Sequence, residues 1–189
     1  MSAPSGKGAL LIDGARYEDA FAWLYQNFPD QQPLPLLQGT PYEPIADAGP
    51  ILLDAPVGSS IYEAWRSGQS ILGGVWLQSD AKASELSFIL QRRLRIFTPE
   101  RRELWLRLGD ARPLYRAWQA EAQWPEGFWH KIHAVWLKHE SRIVQAWGNE
   151  HPDKDSAPAN TGLTAQLMLD WPLLEALASQ DDTTLDVNA

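Results

Sequence analysis

Apolar residues in this chain fall in runs of three or four, each bounded by a turn signal, and that spacing limits the fold more than any other feature. Ala9-Leu10-Leu11-Ile12 is closed by Asp13-Gly14, and Ile51-Leu52-Leu53 is opened by Gly49-Pro50. Runs this short between Gly, Pro and Asp predict buried strands. The helical patterns between them are also cut short. Tyr17, Ala20, Phe21, Leu24 and Phe28 recur at helical spacing, which predicts an amphipathic helix over 17–28 that Pro29 stops. Thr40-Pro41-Tyr42-Glu43 and Ser60-Ile61-Tyr62-Glu63 read as capping boxes. Pro44 holds the first helix to a single turn, and the second ends near Gly68.

The remaining elements follow from the same signals. Leu34 to Leu37 is a short strand, and Ser70 to Leu77 is a strand interrupted at Gly73-Gly74. Asp80 caps a longer helix with the apolar stripe Ala83, Leu86, Ile89 or Leu90, and Leu94, which leaves Arg92, Arg93 and Arg95 outside the stripe. Leu104, Leu106 and Leu108 alternate with Trp105 and Arg107, so Glu103 to Leu108 reads as a half-buried strand paired with the stretch around Ile96. Asp110 caps a helix through Leu114 and Trp118. From Phe128 to Trp147 a helix (Phe128, Ile132, Val135, His139, Ile143) competes with a hairpin turning at Glu140-Ser141, and the hairpin is preferred. Residues 151–161 form a loop, and Leu167-Met168-Leu169 is a strand before a helix capped by Asp170.

These elements predict an α+β protein: a mixed-sheet lobe with flanking helices over 9–124, a smaller lobe over 125–178, and flexible termini at 1–8 and 179–189. Trp124-Pro125-Glu126-Gly127 marks the junction.

Composition narrows the function. The absence of cysteine excludes disulfides, thiolate catalysis and cysteine-ligated metal, and fits a reducing compartment. Met1 to Gly8 lacks the apolar run of a signal peptide, and no segment approaches the ~20 apolar residues of a membrane span, so a cytoplasmic protein with no membrane partner is expected. A formal net charge of -8 disfavours nucleic acid as a partner.

The motifs of chemistry are missing. No serine sits in a G-x-S-x-G elbow, and Ser5-Gly6-Lys7-Gly8 lacks Walker spacing. His130, His133 and His139 have no H-E-x-x-H glutamate and read as surface histidines. Asp13, Asp54 and Asp110 end predicted strands and read as turn formers and caps. No catalytic residue, metal or cofactor is therefore predicted.

Two features point instead to protein contacts. Arg92, Arg93, Arg95, Arg101, Arg102, Arg107, Arg112 and Arg116 crowd the middle of the chain, while acidic residues dominate after Trp147, so a basic middle can face an acidic end. The plain alternative is solvated faces with local ion pairs. Ten tryptophans exceed what one small core needs, and some should be exposed as interface anchors.

The ordered set Leu11-Ile12-Asp13-Gly14-Ala15, Gln38-Gly39-Thr40 with Glu43, Gly49-Pro50-Ile51-Leu52, Leu94 to Phe97 and Leu106-Arg107-Leu108-Gly109-Asp110-Ala111-Arg112 resembles the type VI secretion adaptor proteins (Tap or TEC chaperones), domain-of-unknown-function family 4123. The similarity covers residues 9 to 120, with Leu167 to Asp170 and Leu174 to Leu177 resembling the family's closing strand and helix. Where the family has an aromatic pair and then Asp-Pro-Arg, this chain has Leu108-Gly109-Asp110-Ala111-Arg112, with proline later at Pro113. The resemblance implies a protein without enzymatic activity that binds a toxic effector in the bacterial cytoplasm and helps load it onto the VgrG spike.

Arg92, Arg93, Arg95, Trp105, Arg107 and Arg112 are the predicted protein-binding residues, and reversing Arg92 and Arg93 to glutamate is expected to leave folding intact. The rival functions are a hydrolase with converging Asp and His groups, and a nucleic-acid module built on the arginine belt.

Overall fold

The structure is a computed structural model that describes residues 3–68, 73–159 and 162–179. Along the chain run β1 (Gly8–Asp13), α1 (Ala20–Asn27), β2 (Leu34–Pro35), β3 (Pro50–Asp54), α2 (Ser60–Ser67), β4 (Val75–Gln78), α3 (Ala83–Gln91), β5 (Arg95–Phe97), β6 (Glu103–Trp105), α4 (Ala111–Gln119), β7 (Ala134–His139), β8 (Arg142–Gly148) and α5 (Trp171–Ala178). Short 3-10 helices occupy Gly14–Arg16 and Glu43–Ile45. The fold is α+β, as expected.

Six strands form one sheet in the order β2-β3-β1-β4-β7-β8, and every pairing in it is antiparallel. The expected mixed character reduces to one parallel bridge between Phe97 and Met168, beside the separate β5-β6 pair. The sheet also runs across the position expected to divide two lobes, because β7 pairs with β4.

The apolar run at the start of the chain is continuous because β1 lies near the middle of this sheet and is buried on both faces. Its side chains alternate. Leu10 and Ile12 pack with Trp65, Trp76 and Trp136 under α1 and α2, whereas Ala9 and Leu11 join the larger cluster with Leu52, Leu77, Leu90, Leu114 and Leu173 under α3, α4 and α5. The three fully buried tryptophans satisfy the need of an indole N–H for an acceptor. Trp76 donates to the Ala55 carbonyl at 2.7 Å, Trp65 to the Gly74 carbonyl at 3.3 Å, and Trp136 to Gln78 Oε1 at 3.4 Å.

Helix boundaries depart from the sequence reading by one position to one turn. The first helix starts at Ala20, not Tyr17, because Asp19 caps it by accepting from the Ala22 N–H at 2.9 Å. Ser59, not Ser60, caps α2, and Glu63 pairs with Arg66 at 2.7 Å. Gly68 ends that helix at φ 73, the left-handed position glycine adopts without strain. Asp80 does not cap α3. Lys82 holds the cap position, and the Asp80 carboxylate lies 3.2 Å from His133 Nε2.

The preferred hairpin forms as β7 and β8, turning through Glu140 at φ 53. At the N-terminus the expected flexible segment is in part tied down: the Gly6 carbonyl accepts from the Val57 N–H at 3.0 Å, and Gly8 belongs to β1. The start of the strand expected from Ser70 and the tail from Gln180 lie outside the described residues. No helix among the described residues is long and apolar enough to cross a membrane.

Candidate protein-binding surface

The segment from β6 to α4 is anchored by two features of Leu108-Gly109-Asp110. Gly109 rests on the backbone of β1, so closely that a Cβ there would fall 2.5 Å from the Ile12 carbonyl oxygen. Asp110 caps α4 by accepting from the Arg112 N–H at 3.1 Å, and its two oxygens receive Arg112 Nε at 2.9 Å and Nη2 at 2.7 Å. Arg107 donates to Asp13 and lies 3.8 Å from Asp110. Asp13 in turn caps the Gly14–Arg16 helix through the Ala15 N–H at 3.2 Å.

Charges of alternating sign thus tie the end of β1 to the start of α4. Burial pushes the Asp110 carboxyl up, but hydrogen bonds and charge from Arg112, with Arg107 adding less, hold it below the ordinary aspartate value. Asp13 and Asp110 are therefore the caps and turn formers the sequence predicts. Arg107 and Arg112 each keep over half of their side chains in solvent.

Beside this anchor stands the β5-β6 hairpin. Arg95 opposes Trp105, Ile96 opposes Leu104, and Phe97 opposes Glu103. Ile96 is buried, which places Arg95, Phe97, Glu103 and Trp105 on the other face of the pair. Arg95 pairs with Glu103 and sits over the Trp105 ring with 5.5 Å to its centroid. Tyr42 meets the same ring edge-on at 5.1 Å. Trp105 nevertheless remains 46% exposed, with Leu104 and Tyr42 also open to solvent.

All three residues of β6 are exposed, so the half-buried strand expected over 103–108 gains its burial only after Trp105. The stretch beyond it, together with α4 and α5, borders an apolar groove of about 200 Å³ lined by Leu104, Leu106, Leu114, Trp124, Leu174 and Leu177. Leu104 and Trp105 both border the groove, Leu104 from the Ile96 face of the hairpin and Trp105 from the open aromatic face.

The six residues expected to bind protein therefore separate. Arg95, Trp105, Arg107 and Arg112 surround the hairpin and its exit. Arg92 and Arg93 do not join them. The Arg93 side chain is 0% exposed: it donates to the carbonyls of Phe128, Ile89 and Gly127, and to Asp155 at 2.6 Å. Arg92 reaches the Ala157 carbonyl at 2.7 Å and Asp155 at 3.3 Å. The helix ends at Gln91, so its stripe cannot be extended to these positions, and the loop carrying Asp155 folds against them. Reversing Arg93 would put a carboxylate beside buried carbonyls and Asp155, which overturns the expectation that folding survives it. Here the basic middle of the chain does face the acidic end.

Sequence reasoning missed Tyr42, whose capping-box signal predicts a turn and says nothing of the Trp105 ring. It also missed the tip of the hairpin, where Arg101 stands at φ 64 and its side chain and that of Arg102 are exposed. Pro99-Glu100 before them is the signal that could have marked that turn.

The histidines are scattered. His130 Nδ1 lies 3.2 Å from the Lys154 carbonyl oxygen, His133 faces Asp80, and His139 stacks on Tyr115 at 4.0 Å. Among the described residues no three His, Asp or Glu side chains gather as a metal site.

The sequence model of a family described as a domain of unknown function (DUF4123) matches residues 10–126. No curated protein and no solved structure matches the chain. The matched span holds the hairpin and the charge-alternating anchor, whereas β7, β8 and α5 lie beyond it.

Proposed function

This chain belongs to the DUF4123 family, and on that premise we propose that it is an adaptor that holds a toxic effector of the type VI secretion system and helps seat it on the VgrG spike. In this reading it acts in the bacterial cytoplasm and performs no chemistry of its own. The observation that carries the reading is the open hairpin face. Trp105, Tyr42 and Leu104 lie exposed beside an apolar groove, with Arg95, Arg107 and Arg112 around them. Exposed aromatic rings and arginines over apolar surface are the composition of protein interfaces. A nucleic-acid role would need a continuous basic groove, but Asp13, Glu103, Asp110 and Asp155 pair with Arg107, Arg95, Arg112 and Arg93 and interrupt the belt, which among the described residues leaves only the hairpin tip at Arg101 and Arg102 open.

An adaptor that binds the folded effector raises the population of that form. Co-expression with a toxin encoded beside this chain should therefore increase soluble toxin and its loading on the spike protein. Trp105→Ala should weaken copurification by about tenfold or more, as loss of an interface anchor does, while its melting temperature stays near that of the parent. Equal toxin solubility and equal spike loading with and without the adaptor would overturn the reading.

A further inference from the structure

The β5-β6 pair has one closed edge and one open edge. Leu106 donates its N–H to the Leu94 carbonyl and Thr98 donates to the Arg102 carbonyl, both at 2.8 Å. In an antiparallel ladder the bonded pairs alternate. Glu103 and Trp105 therefore turn their N–H and C=O groups away from β5. The far side of β5 is occupied: the Phe97 N–H donates to the Leu167 carbonyl at 2.7 Å, and its carbonyl accepts from Leu169 at 3.0 Å. Among the described residues nothing pairs with the outer edge of β6, whose three residues are all exposed.

The surroundings of that edge define what fits it. Leu104 and Trp105 both border the apolar groove, and their side chains leave the strand on opposite faces. At the hairpin tip the exposed side chains of Arg101 and Arg102 make no ion pair among the described residues. Arg92, Arg93, Arg95, Arg107 and Arg112 pair with carboxylates, so the charge left open along this stretch is that of the hairpin tip, in a chain whose net charge is -8. Two adjacent exposed guanidinium groups at the tip favour an acidic occupant.

We propose that β6 accepts an added strand from a protein partner: an extended segment with an apolar side chain beside Leu104 over the groove and carboxylates at the end near Arg101 and Arg102. Backbone bonds to Glu103 and Trp105 supply the register, and alternate side chains supply selectivity. The mode rests on the adaptor reading for the identity of its partner as an effector.

The test selects a displayed library of random ten-residue peptides on the full chain. Glu103→Pro removes one outward N–H without touching the ladder to β5, because proline is tolerated where the N–H faces solvent. Glu103→Ala controls for loss of the Arg95 pair. Enriched peptides should combine apolar residues with Asp or Glu, bind the parent and Glu103→Ala alike, and bind Glu103→Pro at least tenfold more weakly. On the parent protein itself, hydrogen exchange at the Glu103 and Trp105 amides should slow when peptide is bound, a result that does not depend on how any variant folds.

Failure to enrich any peptide, equal binding to Glu103→Pro, or unchanged exchange at both amides would overturn strand addition. Protection of those amides by self-association in a concentration series would give the edge to a second copy and overturn it too. Toxin capture that survives such a failure leaves the adaptor reading standing without this mode, and peptide docking without toxin capture removes the adaptor reading alone.

Discussion

Two Arg-Arg pairs lie nine positions apart in this chain and meet opposite fates. In Arg92-Arg93 the second side chain is buried, with three carbonyls and a carboxylate around it. In Arg101-Arg102 both side chains stand in solvent at the tip of a hairpin. The difference arises from what folds over each pair. The loop carrying Asp155 reaches the end of α3, and no comparable segment among the described residues covers the hairpin tip. Burying a guanidinium is costly unless its donors are matched and its charge answered. Asp155 supplies the charge, and the carbonyls of Ile89, Gly127 and Phe128 supply the match.

The comparison breaks most sharply at Asp155. Asp155→Ala leaves Arg93 buried without its counter-charge and should cost about 3–5 kcal/mol, measured by chemical denaturation. Alanine at Asp153, whose exposed carboxylate pairs with Lys131 at 2.9 Å, should leave stability close to the parent's. Similar losses for the two variants would erase the distinction between the buried and the open pair.

Acid should sharpen it at a smaller scale. Burial pushes the Asp155 carboxyl up, but the Ala157 N–H and then Arg93 outweigh it and hold the group below the ordinary value of 3.8. A carboxyl lowered in the folded state takes up its proton first in the unfolded chain. Its contribution is complete above the ordinary value and is lost as pH falls from there through the lower folded value. Asp110 is lowered in the same direction, so Asp155→Ala should flatten the acid limb of a stability-against-pH curve without abolishing it. An unchanged slope would mean that Arg93 does not hold Asp155 in its charged form.

The smallest expected effect on folding is at the hairpin tip. Arg101→Glu with Arg102→Glu should alter stability by no more than about 0.5 kcal/mol, as read by thermal unfolding. The same variant should associate more slowly with a co-encoded toxin at low salt and lose most of its salt dependence, as read by surface plasmon resonance. An on-rate equal to the parent's would show that the exposed pair steers nothing.

Much of the fold could be read along the chain wherever its signal was local. The runs at Ala9 and Ile51 became β1 and β3, Asp110 and Asp170 capped their helices, and the hairpin reading of 134–148 held against the helix. Caps were misplaced where two suitable residues stood together, as at Ser59-Ser60, because the hydrogen bond chooses between equals by backbone geometry. At the candidate surface, alternation around Leu106 and Leu108 was enough to turn Arg107 outward. Tyr42 and the α5 side of the groove were not readable, since their neighbours are remote in the chain.

By itself the sequence determined the strands at Ala9, Ile51 and the 134–148 hairpin, the caps at Asp110 and Asp170, the exclusion of thiol chemistry, and the concentration of arginine beside a tryptophan, because each depends on composition or on residues within a few positions of one another. Tertiary structure decided which arginines were spent inside. Arg93 and Asp155 are 62 positions apart, and the sheet inserts β1 between β3 and β4 and joins β4 to β7 across the whole of α3, β5, β6 and α4. Whether a charged side chain is matched within the protein or left for a partner depends on which distant segment closes over it, and no local pattern carries that information.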